Sequence, residues 1–114
     1  MTEEQSLIQR AAAILRDARH AVVFTGAGMS VPSGIPDFRS QGSGLWTRFD
    51  PMQVASLSAF RHHPQRFFDW LRPLAGSMRA AEPNPAHIAL AELEAAGVVK
   101  AVITQNIDAL HQRA

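Results

Sequence analysis

The residues best suited to chemistry follow a short apolar segment, Ala21–Thr25, which leads directly into Gly26-Ala27-Gly28. β-branched and aromatic residues favour a buried strand, and glycines at a strand end let the backbone approach a phosphate group closely. The run continues to Arg39 with a further glycine, two prolines and adjacent acidic, aromatic and basic side chains, which is more than a simple turn requires. This pattern predicts a nucleotide-binding site at the end of a strand.

A second polar cluster, Thr104–Asp108, ends another apolar segment. Because ligands of open parallel sheets bind beyond the carboxyl ends of the strands, we expect both clusters at the same edge of the sheet. In an extended segment Asn106 and Asp108 would face one ligand, while Ile107 would face the protein or present its backbone. Taken alone, Asn106 and Asp108 are better explained as helix caps, so the prediction of a ligand site depends on the two clusters together.

The glycine run does not complete the fingerprint of the common dinucleotide-dependent dehydrogenases. That fingerprint requires a third small residue where Val31 stands, and an acidic residue that closes a second strand roughly twenty residues later. Asp50 has about the right offset, but the segment before it, 45–49, is not clearly a buried strand. Ordinary hydride-transfer chemistry is therefore disfavoured.

The elements that must position these residues alternate as in a parallel α/β fold. Thr2 begins a capping box, Asn84-Pro85 is typical of a helix start, and Gly97 is typical of a helix end. Two strands separated by helical crossovers indicate a parallel sheet with right-handed connections. We expect strands over 21–25 and 98–104, helices over 3–19, 51–55, 57–61, 64–74 and 85–96, a loop broken by a short helix over 29–50, and a last helix after a loop that begins at Gln105.

Aromatic and leucine side chains are dense in the segment before Asn84, where Phe67, Phe68, Trp70, Leu71 and Leu74 follow one another closely. Such a segment is most simply a small helical core. The alternative is that it forms one wall of a ligand pocket. The sequence leaves both interpretations open.

Composition limits the classes of partner. The 114 residues are 46% hydrophobic with a formal net charge of +1, and the basic residues are spread along the chain, so neither nucleic acid nor a membrane is expected as a partner. No long apolar stretch or signal peptide is visible, and we therefore expect a cytoplasmic protein. The chain contains no cysteine, which excludes disulfides and thiolate metal sites within it.

Together the two clusters closely resemble the sirtuins, the NAD-dependent protein deacylases. The pattern Gly-Ala-Gly-x-Ser-x-x-Ser-Gly-Ile-Pro-Asp-Phe-Arg is matched at every fixed position over 26–39, and Thr-Gln-Asn-Ile-Asp-x-Leu-His is matched over 104–111. Gly44-Leu45-Trp46 and the stretch Glu82–His87 also resemble the family. Ala109 stands where many members have glycine, at a position that varies.

The resemblance implies a role for each matched residue. Gly26, Ala27 and Gly28 would line the NAD diphosphate, with Ser30 nearby. A mobile cofactor loop would contain Pro36, Asp37, Phe38 and Arg39, in which the guanidinium reaches phosphate and the aromatic ring covers the nicotinamide-ribose end. The nicotinamide and its ribose would be contacted by Gln105, Asn106, Ile107 and Asp108.

The fold implied is α/β: a Rossmann-like parallel sheet with helices on both faces, the sirtuin or DHS-like NAD-binding fold, present in part and with a small helical insertion. We expect the Rossmann-like part over about 1–45 and 84–114, and the insertion over about 46–83. The implied reaction transfers the acyl group of an acyl-lysine protein or peptide to the ribose of NAD, the co-substrate, and releases nicotinamide and free lysine.

The family's general base is a histidine in a downstream His-Gly motif, and the chain reaches Ala114 without one. His111 belongs to the earlier Leu-His pair and is expected to be structural, as is His87, whereas His20, His62 and His63 are expected at surfaces or helix ends. The structural zinc module is also expected downstream, so no metal is assigned here. We therefore expect the amino-terminal half of a catalytic core, without deacylase activity on its own.

Acyl preference can be predicted from the helical segment. Sirtuins that prefer acidic acyl groups carry a Tyr-x-x-Arg pair, and Leu71 and Leu74 occupy the corresponding positions here. An apolar pocket would exclude a carboxylate, because burying an unpaired charge is costly, so we expect a deacetylase that tolerates longer neutral acyl groups. Two alternatives stay open: an NAD hydrolase or ADP-ribosyltransferase of the same family, and a non-catalytic nucleotide-binding module.

Overall fold

The computed structural model describes residues 1–114 as six α-helices, two strands and two short 3₁₀ helices. The α-helices are α1 (Glu3–Asp17), α2 (Pro51–Val54), α3 (Leu57–His62), α4 (Pro64–Ala80), α5 (Pro85–Ala95) and α6 (Leu110–Arg113). The strands are β1 (Ala21–Thr25) and β2 (Val99–Thr104), and the 3₁₀ helices span Ala27–Ser33 and Leu45–Thr47. None of the helices has the length and apolar character needed to cross a membrane.

The two strands form a parallel sheet in which Thr25 lies opposite Thr104. This confirms the predicted parallel arrangement, and both strands end at the same edge. Helix α5 precedes β2 and packs against it, and Val99 of β2 is almost fully buried. The sheet thus fixes where the two polar clusters emerge.

Helix α1 begins with the predicted capping box: the Thr2 hydroxyl accepts from the Gln5 amide at 3.1 Å, and the Gln5 side chain accepts from the Thr2 amide at 2.9 Å. The helix ends at Asp17, two residues earlier than predicted. Ala18 has extended backbone (φ −68°, ψ 136°), because the chain must straighten before β1 begins at Ala21. Periodicity alone does not reveal where that change occurs.

Helix α4 continues to Ala80, six residues past the predicted end at Leu74. Pro73 and Gly76 lie inside it, although both residue types weaken a helix interior. Leu74 and Ala81 are buried in the main core and Met78 packs against that core. Burial of this apolar face outweighs the local preference to end the helix.

The main core joins the region after the glycine run to the helices that follow it. It contains Ile35, Leu45, Leu74, Ala81 and Leu110. The segment predicted as a loop with one short helix over 29–50 contains two 3₁₀ helices, the first of which begins at Ala27. Packing of Ile35 and Leu45 into the core anchors both ends of the intervening loop.

Candidate functional site

The residues that follow β1 and β2 are hydrogen bonded to each other. The Asn106 side-chain amide donates to the Gly26 carbonyl at 2.8 Å, and the Gln105 backbone amide donates to the Thr25 carbonyl at 3.3 Å. Gly26 lets the Gln105 side chain lie close to the backbone, since a Cβ at that position would lie 2.7 Å from the Gln105 side-chain nitrogen and would push that side chain aside. The structure therefore brings together the two clusters that the sequence places at one sheet edge.

Asp108 has two partners within the chain. The buried Ser30 hydroxyl donates to one carboxylate oxygen at 2.5 Å, and the Leu110 amide donates to the other at 3.0 Å. The second bond caps the start of α6, as the capping alternative for this residue predicts. Asp108 also lines a cavity, so capping and exposure to a ligand coexist at this side chain.

A cavity of about 480 Å³ opens beyond the strand ends, which we call the polar cavity. It is lined by Ala27, Gly28, Asp37, Phe38, Arg39, Trp46, Gln105 and Asn106. A Cβ at Gly28 would meet no atom within 4 Å, so the backbone is openly accessible there. Arg39 is the only cationic residue of the lining, and its planar guanidinium is suited to phosphate oxygens.

The loop that carries Phe38 and Arg39 is closed by its own hydrogen bonds. The amides of Leu45 and Trp46 donate to the carbonyls of Asp37 and Phe38, each at 2.8 Å. Ser40 donates to the Asp37 carboxylate through both its amide and its hydroxyl. Gly44 is buried at the base of this loop, where a Cβ would lie 2.6 Å from Ser40 backbone atoms. Only glycine allows the loop to close so tightly.

A second cavity, of about 310 Å³, adjoins the first, and we call it the apolar cavity. Phe67, Trp70, Leu71, Leu74 and Met78 form its helical wall, and Ser30, Ile35, Pro36, Ile107 and Asp108 are among its other lining residues. The aromatic segment is therefore a cavity wall and, through Leu74, part of the core. Phe68 was expected in this wall but does not line it; its ring packs edge-on against Phe60 and Phe67.

Of the two arrangements expected for Ile107, the side chain facing the protein is not observed: it is 77% exposed at the rim of the apolar cavity. The alternative, that Ile107 presents its backbone to a ligand, stays a prediction. The other predicted residues lie as follows. Ala27, Phe38, Gln105 and Asn106 line both cavities, and Gly26 lines neither but accepts from Asn106. The predicted alternation is present, since Asn106 and Asp108 are half-buried and Ile107 between them is exposed. No residue of the chain covers the side of the segment on which Ile107 lies.

Three aromatic rings stack across the boundary between the cavities. The Phe38 and Trp46 ring centres are 5.2 Å apart and those of Trp46 and Trp70 are 5.8 Å apart, with interplanar angles of 28° and 18°. Trp46 is a site residue that the sequence argument noted only as part of a family-like Gly-Leu-Trp sequence. The signal that could have identified it is its position two residues after Gly44, which closes the loop tightly.

The histidines divide into two groups. His87 and His111 pack edge to face with ring centres 5.0 Å apart, and His87 accepts from the Asn84 amide through Nδ1 at 3.1 Å. Burial lowers the pKa of His87; nearby His111 lowers it further, whereas Asp108 opposes the shift. His20, His62 and His63 are exposed, as predicted, and none of the five histidines lines the polar or apolar cavity.

The geometry defines an α/β protein with a ligand site at the carboxyl ends of parallel strands, and no group of three or more metal-ligating side chains occurs in it. The Sir2 family model matches residues 26–114. The chain therefore belongs to the Sir2 family, which confirms the resemblance to the sirtuins.

Two relatives with named activities agree with this family assignment. The chain is 57% identical over 107 residues to an NAD-dependent protein deacylase 2 of Archaeoglobus fulgidus, covering 94% of this chain and 42% of the relative. It is 46% identical over 112 residues to an NAD-dependent protein deacetylase 2 of Caldanaerobacter subterraneus subsp. tengcongensis, covering 98% of this chain and 45% of the relative. The chain thus spans less than half the length of these relatives.

A solved structure of Sir2 with a p53 peptide and NAD+ superposes with a TM-score of 0.80 at 42% identity, covering 93% of this chain and 41% of the other. The similarity in three dimensions confirms the Rossmann-like α/β class.

Proposed function

We propose that residues 1–114 form the NAD-binding part of an NAD-dependent protein-lysine deacetylase. The observation that carries the proposal is the shared wall between a polar cavity and an apolar cavity, formed by Ala27, Phe38, Gln105 and Asn106. One compartment suits a charged nucleotide and the other suits a neutral acyl chain. The relatives named as an NAD-dependent protein deacylase and an NAD-dependent protein deacetylase support this assignment.

The polar cavity fits the diphosphate of NAD. Gly28 leaves an open backbone surface, and Arg39 supplies a charge of the sign that phosphate requires. When bound, NAD would supply the ribose carbon that accepts the acyl oxygen as the bond to nicotinamide breaks. Phe38, at the boundary of the two cavities, would keep water away from that carbon.

Asn106, Ile107 and Asp108 would orient the nicotinamide end of the co-substrate. Asn106 is held by its bond to Gly26, and the Asp108 carboxylate is held by Ser30 and by the Leu110 amide. Side chains held in this way keep one geometry, which lowers the entropic cost of reaching a reactive arrangement. Asn106→Ala would accordingly reduce turnover sharply in a protein that still folds.

The apolar cavity would bind the acyl group of acyl-lysine. Asp108 is the only ionisable residue in its lining, and its charge is negative. Leu71 and Leu74 offer no partner for a carboxylate, so an acidic acyl group would meet repulsion and an unpaired burial. The cavity supports a preference for acetyl and longer neutral acyl groups over succinyl.

The described residues place no histidine at either cavity, so residues 1–114 alone supply no imidazole as general base for the ribose hydroxyl. We propose that these residues line the NAD site, and that on their own they bind NAD weakly or not at all and do not deacylate. Activity would then require a base from elsewhere in the protein.

The direct test is an assay of the protein expressed from its complete gene, with acetyl-lysine and succinyl-lysine peptides of one sequence. We expect deacetylation only when NAD is present, and a higher kcat/KM for the acetyl peptide. Faster turnover of the succinyl peptide would refute the acyl assignment. NAD cleavage at the same rate without any peptide would favour the hydrolase alternative over a deacetylase.

A further inference from the structure

Two threonine hydroxyls join the ends of the strands beneath the site. Thr25 Oγ1 donates to Thr104 Oγ1 at 2.9 Å, and His111 Nε2 lies 2.8 Å from Thr25 Oγ1. Thr25 is buried, whereas Thr104 and His111 are half-buried. These three residues form what we call the strand-end bridge, which connects β1, β2 and α6.

The Thr25 hydroxyl is hydrogen bonded to both Thr104 Oγ1 and His111 Nε2. Whether His111 Nε2 donates to Thr25 or accepts from it depends on the tautomer of the imidazole. Thr104 Oγ1 in turn accepts from the backbone amide of Asn106 at 3.0 Å. The bridge thus runs from an imidazole to the backbone of a proposed ligand-binding residue.

Asn106 is held at two points, by this backbone bond to Thr104 and by its side-chain bond to Gly26. His111 itself lines neither the polar nor the apolar cavity. His111 lines a separate cavity of about 210 Å³ together with His87, against which its ring packs edge to face. His111 therefore has no route to a ligand except through the residues it orients.

We propose that His111, acting through Thr25 and Thr104, is a positioning residue for Asn106 and thereby for binding of the co-substrate. The consequence for binding rests on the proposed function, whereas the effect on Asn106 does not. Loss of His111 would leave the Thr25 hydroxyl without this hydrogen-bond partner, and the freed hydroxyl would rotate away from Thr104. The hydrogen bond from the Asn106 backbone amide to Thr104 would then open more often than the hydrogen bonds between β1 and β2.

Amide hydrogen exchange measured by NMR tests the effect on Asn106. In His111→Leu we expect the Asn106 amide to exchange about tenfold faster, as expected for one weakened hydrogen bond, while the amides of Val102 and Ile103 keep their wild-type rates. His111→Gln retains a side-chain N–H and should restore most of the protection. His20→Leu makes the same kind of change at an exposed site and should have no effect. Equal Asn106 exchange in His111→Leu and wild type, or a uniform rise across β2, would overturn the proposal.

Steady-state kinetics of the protein from its complete gene test the consequence. His111→Leu should raise KM for NAD about fivefold to tenfold. KM for the acetyl peptide should change less, because Asn106 is only one residue of the apolar cavity and the helical wall of that cavity is not displaced. Thr25→Val should have a similar effect, and the double variant should be no worse than either single variant, since both changes break one bridge. An unchanged KM for NAD in His111→Leu, or effects of His111→Leu and Thr25→Val that add in the double variant, would contradict the proposed role of His111 in co-substrate binding. If the wild type shows no NAD-dependent deacetylation, the proposed function fails and the exchange result still decides the role of His111.

Discussion

Ala109 connects the wall of the apolar cavity to helix α6 in an unusual backbone conformation. Its φ of 60° and ψ of 16° lie in the left-handed region, and it is the only non-glycine residue of the chain with positive φ. The conformation lets Asp108 face Ser30 while Leu110 enters the core. For any residue with a Cβ it costs roughly 1–2 kcal/mol.

Replacing Ala109 by glycine should therefore stabilise the protein. Relief of the strain exceeds the extra backbone entropy of glycine in the unfolded state, so we expect the free energy of unfolding to rise by up to about 1 kcal/mol. Ala95→Gly, in the exposed last turn of α5, is the matched control and should lose roughly 0.5–1 kcal/mol. Urea denaturation measures both. A loss of stability in Ala109→Gly would show that the left-handed conformation is not adopted.

His87 makes stability depend on pH. In its neutral form Nδ1 accepts from the Asn84 amide, and burial favours that form by lowering the pKa. Since the folded pKa lies below the unfolded value near 6.5, the unfolded state binds more protons at acidic pH. The stability contributed by neutral His87 is thus present above pH 6.5 and is lost as pH falls from there toward the folded pKa.

His87→Gln tests this dependence, because glutamine at the same position can retain the capping box without titrating. We expect wild-type Tm to fall between pH 7 and lower pH more steeply than the Tm of His87→Gln. His111 and Asp108 are the titratable neighbours that act on His87, and both are retained in the variant. Parallel Tm profiles for the two proteins would contradict the assignment.

At the scale of residues, the sequence predicted the site residues whose signal lies in the neighbouring sequence. The glycines after β1 and the polar residues after β2 could be identified because each follows a strand signal within a few positions, and Arg39 because it ends the continuous run that begins with those glycines. The strand-end bridge could not, because Thr25 and His111 are 86 positions apart and ordinary in type. Only the parallel register and the placement of α6 bring them together.

At the scale of elements, the aromatic stack links the loop of the polar cavity to helix α4. Phe38 belongs to the loop, Trp46 to the second 3₁₀ helix and Trp70 to α4. Aromatic pairs of this kind contribute about 0.5–1.5 kcal/mol beyond area burial. The stack therefore stabilises one position of the loop against the wall of the apolar cavity.

Near-ultraviolet circular dichroism can detect the stack, since Trp46 and Trp70 are the two tryptophans of the chain. Stacked indoles give a coupled signal that belongs to the pair. We expect Trp46→Phe and Trp70→Phe each to remove it, so that the double variant loses no further coupled signal. Independent losses that add in the double variant would show that the rings are not stacked.

Elements with local signals were predicted well. Capping residues located the starts of α1 and α5, and alternation with helices identified the parallel strands. The predicted end of α4 was wrong. Pro73 and Gly76 are local helix breakers, whereas the packing of Met78 and Ala81 that extends the helix depends on residues distant in sequence.

At the scale of the whole molecule, the two cavities adjoin, and Phe38 is one of the four residues that line both. The polar cavity is built by the strand ends and the loop, and the apolar cavity by the same strand ends and α4. Large apolar side chains on the sheet also remain exposed, including Phe24 at 70% and Ile103 at 52%. Under the proposed function, this arrangement would hold the nucleotide and the acyl chain on opposite sides of one aromatic ring, as the proposed reaction requires.

The most direct test of this account is calorimetric titration of NAD into the protein expressed from its complete gene, as wild type and as Gly28→Ala. The new methyl group would touch no protein atom within 4 Å but would occupy the space proposed for the diphosphate. We expect an unchanged Tm without ligand and a Kd for NAD at least about tenfold weaker, because overpacking costs roughly 1–3 kcal/mol. Gly76→Ala, whose Cβ also meets nothing but lies in α4 outside both cavities, should leave the Kd unchanged. Binding of NAD to Gly28→Ala as tight as to wild type would contradict the proposed site.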